Sequence, residues 1–325
     1  MRVLRSLEEI PAGWSPSTVA VGTFDGIHIG HRAILKAAIA DARSHGRQSV
    51  AFTFDRHPAE LLAPERAPRR ITTPDQQRDL IADCGIDWLV VAPFDARFAA
   101  QPPQQFIDDV LVNRLRAGSV VVGSGFRFGR DRAGDTALLC SAANARRFVL
   151  HALEPVMEMN EPASSSRIRN LLMRGAIGDA EAVLNHAWVL SGTVTRGAQL
   201  GRTLGYPTAN LLPAARQITP ADGIYAAAAR LESGEVVAAA ASLGARPSVP
   251  GAGRALEFHL LDFDGDLYGS RLDIRFVRCI RAAKKFDSLE ALKGQIGDDA
   301  AVCRELLDGD LPEVDVLARP QGKKQ

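Results

Sequence analysis

The sequence is short of cysteine, of aromatics other than phenylalanine, and of net charge. Its 325 residues include four cysteines, three tryptophans and three tyrosines, and the formal charge at pH 7 is +1. Cys84, Cys140, Cys279 and Cys303 are far apart and form no CxxC pair. That argues against a zinc cluster or a disulfide framework and favours reduced thiols in a cytosol. A near-zero charge argues against a large basic face for nucleic acid, though not against a small anion site. No run reaches the ~18 consecutive apolar residues of a membrane span. Glu8 and Glu9 stand where a secretory signal needs an apolar stretch. A cytoplasmic chain with no membrane partner is expected. A Walker A loop is missing too: the only Gly-Lys, Gly322-Lys323, has neither the preceding glycine nor a following Ser or Thr. The protein-kinase motif set is also absent.

What is present is ordinary soluble composition, 46% apolar and 24% charged, long enough for about two domains of ~100–200 residues each. In the first part, β-branched runs at Thr18–Phe24, Ser49–Phe54, Trp88–Ala92 and Ser119–Gly123 alternate with helical patterns. The helical patterns include one after Ile34 and others at Pro103–Arg116 and Thr136–Arg147. Alternation of this kind predicts a parallel sheet with helices on both faces, an α/β fold. From about Trp188 the texture changes to short runs, VLSGTVT, GIYAAAARLE, VVAAAASLG, ALEFHLLDF and RLDIRFV, with Gly, Pro and Asp between them. That spacing predicts a small antiparallel β-barrel, with a hairpin turn at Asp264-Gly265. A capping box at Asp287–Glu290 predicts a last helix with Leu289, Leu292, Ile296 and Cys303 on one face. The expected domains are 1–185 and 186–310, with a frayed polar tail at 311–325.

Two constellations carry chemistry. In GTFDGIHIGH, a buried strand hands over to a helix, with Gly22, Phe24, Gly26, His28, Gly30 and His31 at the junction. Unpaired N–H groups and a positive partial charge make such a helix start a phosphate site. The glycines would let a nucleotide approach the backbone. Two imidazoles three residues apart can stabilise a departing pyrophosphate. The alternatives are ordinary polar residues at a helix start, or a metal pair for which no third His or Cys lies near. In GRTLGYPTAN, Gly201 and Gly205 permit a tight loop, and Pro207 stiffens it. Thr208 and Asn210, two apart on an extended strand, can converge on one metal–phosphate unit. The alternative is a Thr/Asn turn. Glu257, between Leu256 and Phe258 on a strand, faces the opposite way from them; most such residues face solvent, and one in a barrel mouth could accept a hydroxyl proton. Two weaker signals are the Ser164-Ser165-Ser166-Arg167-Ile168-Arg169 run and the Gly123–Gly129 loop with Phe126 and Phe128. The Asp262-x-Asp264-x-Asp266 pattern misses the calcium-loop spacing and reads as the hairpin.

GTFDGIHIGH, GFRFGRDRAGD and SSSRIR, in that order, resemble the adenylyltransferase module of the prokaryotic bifunctional riboflavin kinase/FAD synthetases. GRTLGYPTANL, ADGIYA, GARPSV, LEFHLLDFDGDLYG and KKFDSLEALKGQI resemble that family's riboflavin kinase module. The resemblance implies a Rossmann-like nucleotidyltransferase domain followed by the barrel. It implies phosphorylation of riboflavin to FMN in the second, and adenylylation of FMN to FAD in the first. ATP would be co-substrate, Mg²⁺ the metal, and riboflavin and FMN the partners of a monomer or weak homo-oligomer that binds no nucleic acid. His28 and His31 match the HxGH pair, and Ser165, Ser166 and Arg169 the SSTxIR phosphate segment. Gly22, Phe24 and Gly30 would flank the nucleotide, and Phe126 and Phe128 the flavin. By the same match Glu257 would be the base for the 5′-hydroxyl, Thr208 and Asn210 would hold Mg²⁺ and phosphates, and Arg202, Gly205 and Pro207 would belong to the loop closing over ATP. Thr23, Gly125, Ala245 and Ser248 depart from the family's pattern. Competing readings are an adenylyltransferase for another phosphate-bearing acceptor, and a flavin-binding module with one dead site.

Overall fold

The computed structural model describes residues 1–146, 148–197, 201, 204–214, 216–245, 254–309 and 311–320. The expectations for Arg202 and Ser248, and for the Ala245 side chain, fall outside them. Contacts divide the chain into two compact units, Met1–Pro68 with Pro74–Ser164, and Arg69–Thr73 with Ser165–Gln325. The units part at Ser164/Ser165.

The first unit is built on six parallel strands, β1 (Arg2–Leu4), β2 (Ser17–Val21), β3 (Gln48–Phe54), β4 (Trp88–Ala92), β5 (Ala117–Gly123) and β6 (Val149–Leu153). Their order is β1-β4-β3-β2-β5-β6. Helix α1 (Ile29–Ser44) follows β2. Short helices α2 (Pro58–Leu62), α3 (Pro74–Asp83), α4 (Ala96–Ala99) and α5 (Pro103–Gln105), a π-helix at Phe106–Arg114, and α6 (Thr136–Arg146) complete the described helices, with a 3₁₀ turn at Pro64–Arg66 and another at Arg130–Arg132. Parity along the strands shows both faces covered. Val19, Val21, Val50, Phe52, Val120 and Val122 share a core with Phe106, Val110, Leu139 and Ala142. The intervening Thr18 turns the other way, its hydroxyl donating to Asp41 of α1 at 2.6 Å. Sequence pattern misses β1 and β6, the two sheet edges. Edge strands are half-covered and lack the unbroken apolar run of a central parallel strand. Strand order reverses between β2 and β5, so the loops leaving both strands flank a topological switch point, where open α/β sheets bind ligands.

The second unit opens with α7 (Ser165–Met173) and α8 (Ile177–Leu184). A closed antiparallel barrel follows: β9 (Val189–Thr195), β10 (Ala209–Pro213), β11 (Gly223–Arg230), β12 (Val236–Ala245), β13 (Arg254–Leu260) and β14 (Arg271–Arg281), ordered β10-β13-β12-β11-β14-β9. A small ribbon, Met157–Glu158 with Glu161–Pro162, belongs to the first unit. Helix α9 (Leu289–Leu307) packs on the outside of β11 and β12. The alanine run of β11 explains this. Outward Ala226 carries so little side chain that Ala300, Cys303 and Leu307 lie directly on it. Buried Cys303 has its thiol pushed up to about 12 by desolvation, so it behaves as a small apolar residue.

Three expectations are corrected. Asp264-Gly265 is not a hairpin turn, because β13 pairs with β10 and β12 while β14 pairs with β11 and β9. The α9 cap is Ser288, accepting from the Ala291 N–H at 3.1 Å, rather than Asp287. The tail does not fray from 311. Val314, Val316 and Ala318 are buried, Ala187 donates to the Ala318 carbonyl, and Arg275 donates to the Glu313 and Arg319 carbonyls. Arg275 also pairs with Glu181 of α8 at 3.2 Å, both side chains 3% exposed.

The strip Arg69–Thr73 is stitched into the barrel unit. Arg70 exchanges backbone hydrogen bonds with Arg216 and Ile218, each 2.8 Å. The Ile71 carbonyl accepts from the Trp188 indole at 3.1 Å and from Gln217 at 3.2 Å.

Candidate active sites

In the first unit, the chain leaves β2 at Val21 and turns through Phe24 (φ +49°), Gly26 (φ +86°) and Ile27 (φ +38°) before α1. Two non-glycine residues in the left-handed region mark a loop held by its surroundings. The Thr23 carbonyl is gripped by Gln77 at 2.8 Å and by Thr53 at 3.2 Å. His28 is the N-cap of α1 and is 6% exposed. Its Nδ1 accepts from the backbone N–H of Gly30 (3.1 Å) and of His31 (3.4 Å). Two N–H groups of the first turn are therefore engaged within the chain, which corrects the expectation that these donors meet the phosphate. The cap fixes the tautomer instead. With Nδ1 accepting, the neutral ring carries its proton on Nε2. The His28 and His31 rings stack at 3.7 Å, and Phe24 stands edge-on to His31 at 5.4 Å.

The glycines have local reasons. A Cβ at Gly30 would come 3.1 Å from the His28 ring, and one at Gly22 would come 3.1 Å from the Phe24 ring. Phe128 is 7% exposed and packs on Phe106 at 5.4 Å, so it is a core ring. Phe126 stacks on it at 5.5 Å and is only partly buried.

Ser165, Ser166 and Arg169 lie in α7, at the start of the second unit. Arg169 donates from Nε to the Arg69 carbonyl at 2.6 Å.

In the barrel, register aligns a row across four strands: Asn210 opposite Glu257, Glu257 opposite Ser242, Ser242 opposite Ile224. Directly paired residues share a face. The row points out of the barrel, while Leu256 and Phe258 point in and are buried. Glu257 and Thr208 line one cavity of about 430 Å³ with Tyr206, Ser242 and His259 on the barrel side. Phe286, Leu292 and Ile296, from α9 and the segment before it, form the opposite wall. Arg281 pins that wall through two bonds to Asp299, 2.8 and 2.5 Å. Gly205 takes φ +89° in the loop before Pro207. Gly201 lies against the Tyr206 carbonyl and the Thr208 side chain, and Gly197 against the Asn210 amide, with no room for a Cβ at either. Sequence reasoning missed His259 and the α9 wall. His259 has the same strand parity as Glu257, a signal that was available. The wall is distant in sequence and had none.

A parallel-sheet unit with a histidine-capped loop at its switch point, joined to a closed barrel with a carboxylate facing a threonine–asparagine strand, defines a nucleotide-dependent transferase with two sites. The family models agree: one described as FAD synthetase matches residues 10–167 and one described as riboflavin kinase matches residues 184–307. The chain belongs to the bifunctional riboflavin kinase/FMN adenylyltransferase family. A relative of that name from Escherichia coli strain K12 is 36% identical over 306 residues, 94% of this chain and 97% of the relative. One from Pseudomonas fluorescens is 35% identical over 307 residues, 94% and 98% of the two chains. A crystal structure described as a macrolide-efflux protein from Streptococcus pneumoniae superposes with TM-score 0.80 at 29% identity, covering 93% of this chain and 98% of that one. Among the described residues, no helix here is long and apolar enough to cross a membrane.

Proposed function

We propose that the barrel cavity phosphorylates riboflavin and that the histidine-capped loop adenylylates the FMN so formed. The observation that carries the first assignment is the direct cross-strand pairing of Glu257 with Asn210 beside Thr208. Glu257 accepts the proton of the riboflavin 5′-hydroxyl as its oxygen attacks the γ-phosphorus of ATP. The bond to the ADP oxygen breaks, giving FMN and ADP. A neutral alcohol benefits from a base by ~10²–10⁴-fold.

In the second reaction an FMN phosphate oxygen, already anionic, attacks the α-phosphorus of ATP, and pyrophosphate leaves. No base is required there. Alignment and charge stabilisation are, and within the first unit the imidazoles of His28 and His31 supply them. Phe126, partly buried and stacked on the core ring Phe128, is the ring assigned to the flavin.

The donor set at Thr208 and Asn210 fits Mg²⁺. Both offer hard oxygen ligands, and the glycines packed against them hold the side chains in place. Bound there, Mg²⁺ neutralises phosphate charge. The free cysteines among the described residues accord with a reducing cytoplasm. The near-neutral charge supports a chain without a large basic face for nucleic acid.

The purified chain with riboflavin, Mg²⁺ and ATP is expected to yield FMN and then FAD in a chromatographic time course. Glu257→Gln lowers riboflavin phosphorylation by ~10²–10⁴-fold and leaves FMN adenylylation intact. His28→Ala does the reverse. Loss of both reactions in either folded variant overturns the assignment of one site to each unit.

A further inference from the structure

We propose that His259 is a positioning residue for the kinase reaction, clamping the Pro207 carbonyl so that the Thr208–Asn210 strand is held against Glu257. The inference rests on the kinase-site assignment above.

The β10–β13 ladder holds two residue pairs, Ala209 with Phe258 and Asn210 with Glu257. It stops one step before Thr208, the residue that register would set opposite His259. Backbone pairing therefore does not fix the approach of Thr208. A side-chain bond takes over at this point: His259 Nδ1 lies 2.8 Å from the Pro207 oxygen. A carbonyl only accepts, so Nδ1 carries the proton and donates. The Tyr206 ring stands edge-on to the imidazole at 5.5 Å. Gly201, against the Tyr206 carbonyl and Thr208, closes the loop from behind. Because His259 is two residues from Glu257 on one strand, the clamp transmits the position of the base directly to the loop that carries Thr208.

The contact selects one ring nitrogen, and this makes the test specific. An asparagine amide places its N–H where Nδ1 stands, whereas a glutamine amide reaches towards the Nε2 position. In the full chain, His259→Ala is expected to lower riboflavin kinase kcat about 10-fold and to raise KM for MgATP. A lost hydrogen bond at a positioned group is of this size. KM for riboflavin and the rate of FMN adenylylation stay within about two-fold, a split that collapse of the barrel would not give. His259→Asn restores most of the loss and His259→Gln does not. The proposal is overturned if His259→Ala is as active as the parent, if Gln rescues as well as Asn, or if riboflavin KM rises in step with that for MgATP. Glu257→Gln measured alongside separates the two readings. Retained phosphorylation there removes the site assignment and this inference with it, while loss there beside an unresponsive His259 series removes this inference alone.

Discussion

Gly30 carries a tight requirement in the first site. The ring of its own motif neighbour, His28, fills the space where a Cβ would go, 3.1 Å from that position. Gly30→Ala is expected to push the imidazole off the α1 N-terminus. Loss of a cap costs about 0.5–2 kcal/mol, read as a lower melting temperature of the first unit. FMN adenylylation falls at least about ten-fold, as the imidazole is displaced, with riboflavin phosphorylation unchanged. The identities of His28, Gly30 and His31 were legible in the sequence because strand, glycines and imidazoles crowd into ten residues. The role of Gly30 was not. A glycine reads as space for a ligand until the fold shows which side chain occupies it. Phe128 teaches the same lesson, since only packing reveals that it faces Phe106 rather than solvent.

Elements with a one-sided or two-sided apolar pattern were readable, and those positioned by partners far along the chain were not. The central strands β2, β3, β4 and β5 and the barrel strands match their apolar runs closely. The short edges β1 and β6 do not advertise themselves, and β10 is marked by its motif more than by its pattern. The tail looked frayed because Pro312, Glu313, Asp315 and Arg319 dominate its composition. Its alternate Val314, Val316 and Ala318 are nonetheless buried, and Arg275 holds its carbonyls. Truncation after Leu311 is therefore expected to destabilise the barrel unit by about 3 kcal/mol or more. Two buried valines alone contribute roughly that much, and Arg275 is left with unmet donors beside Glu181. Urea melts of the truncated chain with Trp14 and Trp88 replaced by Phe, so that fluorescence reports Trp188, check it. An unchanged midpoint would show that the tail packs without contributing.

Acid stability draws on carboxylates held below their ordinary value in both units, Asp41 and Asp55 in the first and Asp273 in the second among them. Burial would raise Asp41, but hydrogen bonds from Thr18 and Ser119 and the neighbouring His45 and His151 outweigh it and hold the group below its ordinary value. Burial opposes Asp273 in the same way, and the Ser191 and Arg230 hydrogen bonds with the Arg271 charge hold it down. A carboxyl depressed in the folded state adds stability that is complete above the unfolded value, roughly 3.9, and is lost as pH falls through the lower folded value. Asp41→Asn and Asp273→Asn are each expected to lower the neutral-pH melting temperature of their own unit and to flatten its decline in acid, which calorimetry between pH 2 and 7 resolves at roughly one-unit steps. The strip Arg69–Thr73 has a consequence for biosynthesis. The ribosome delivers Ile71 long before Trp188 and Gln217, the two side chains that grip its carbonyl, so this rung waits unfilled while the intervening polypeptide emerges. A gene cut at the motif boundary would encode a barrel missing one of its own pieces. Residues 165–325 made alone are expected to melt early and to recover when a synthetic peptide containing Arg69–Thr73 is added in trans.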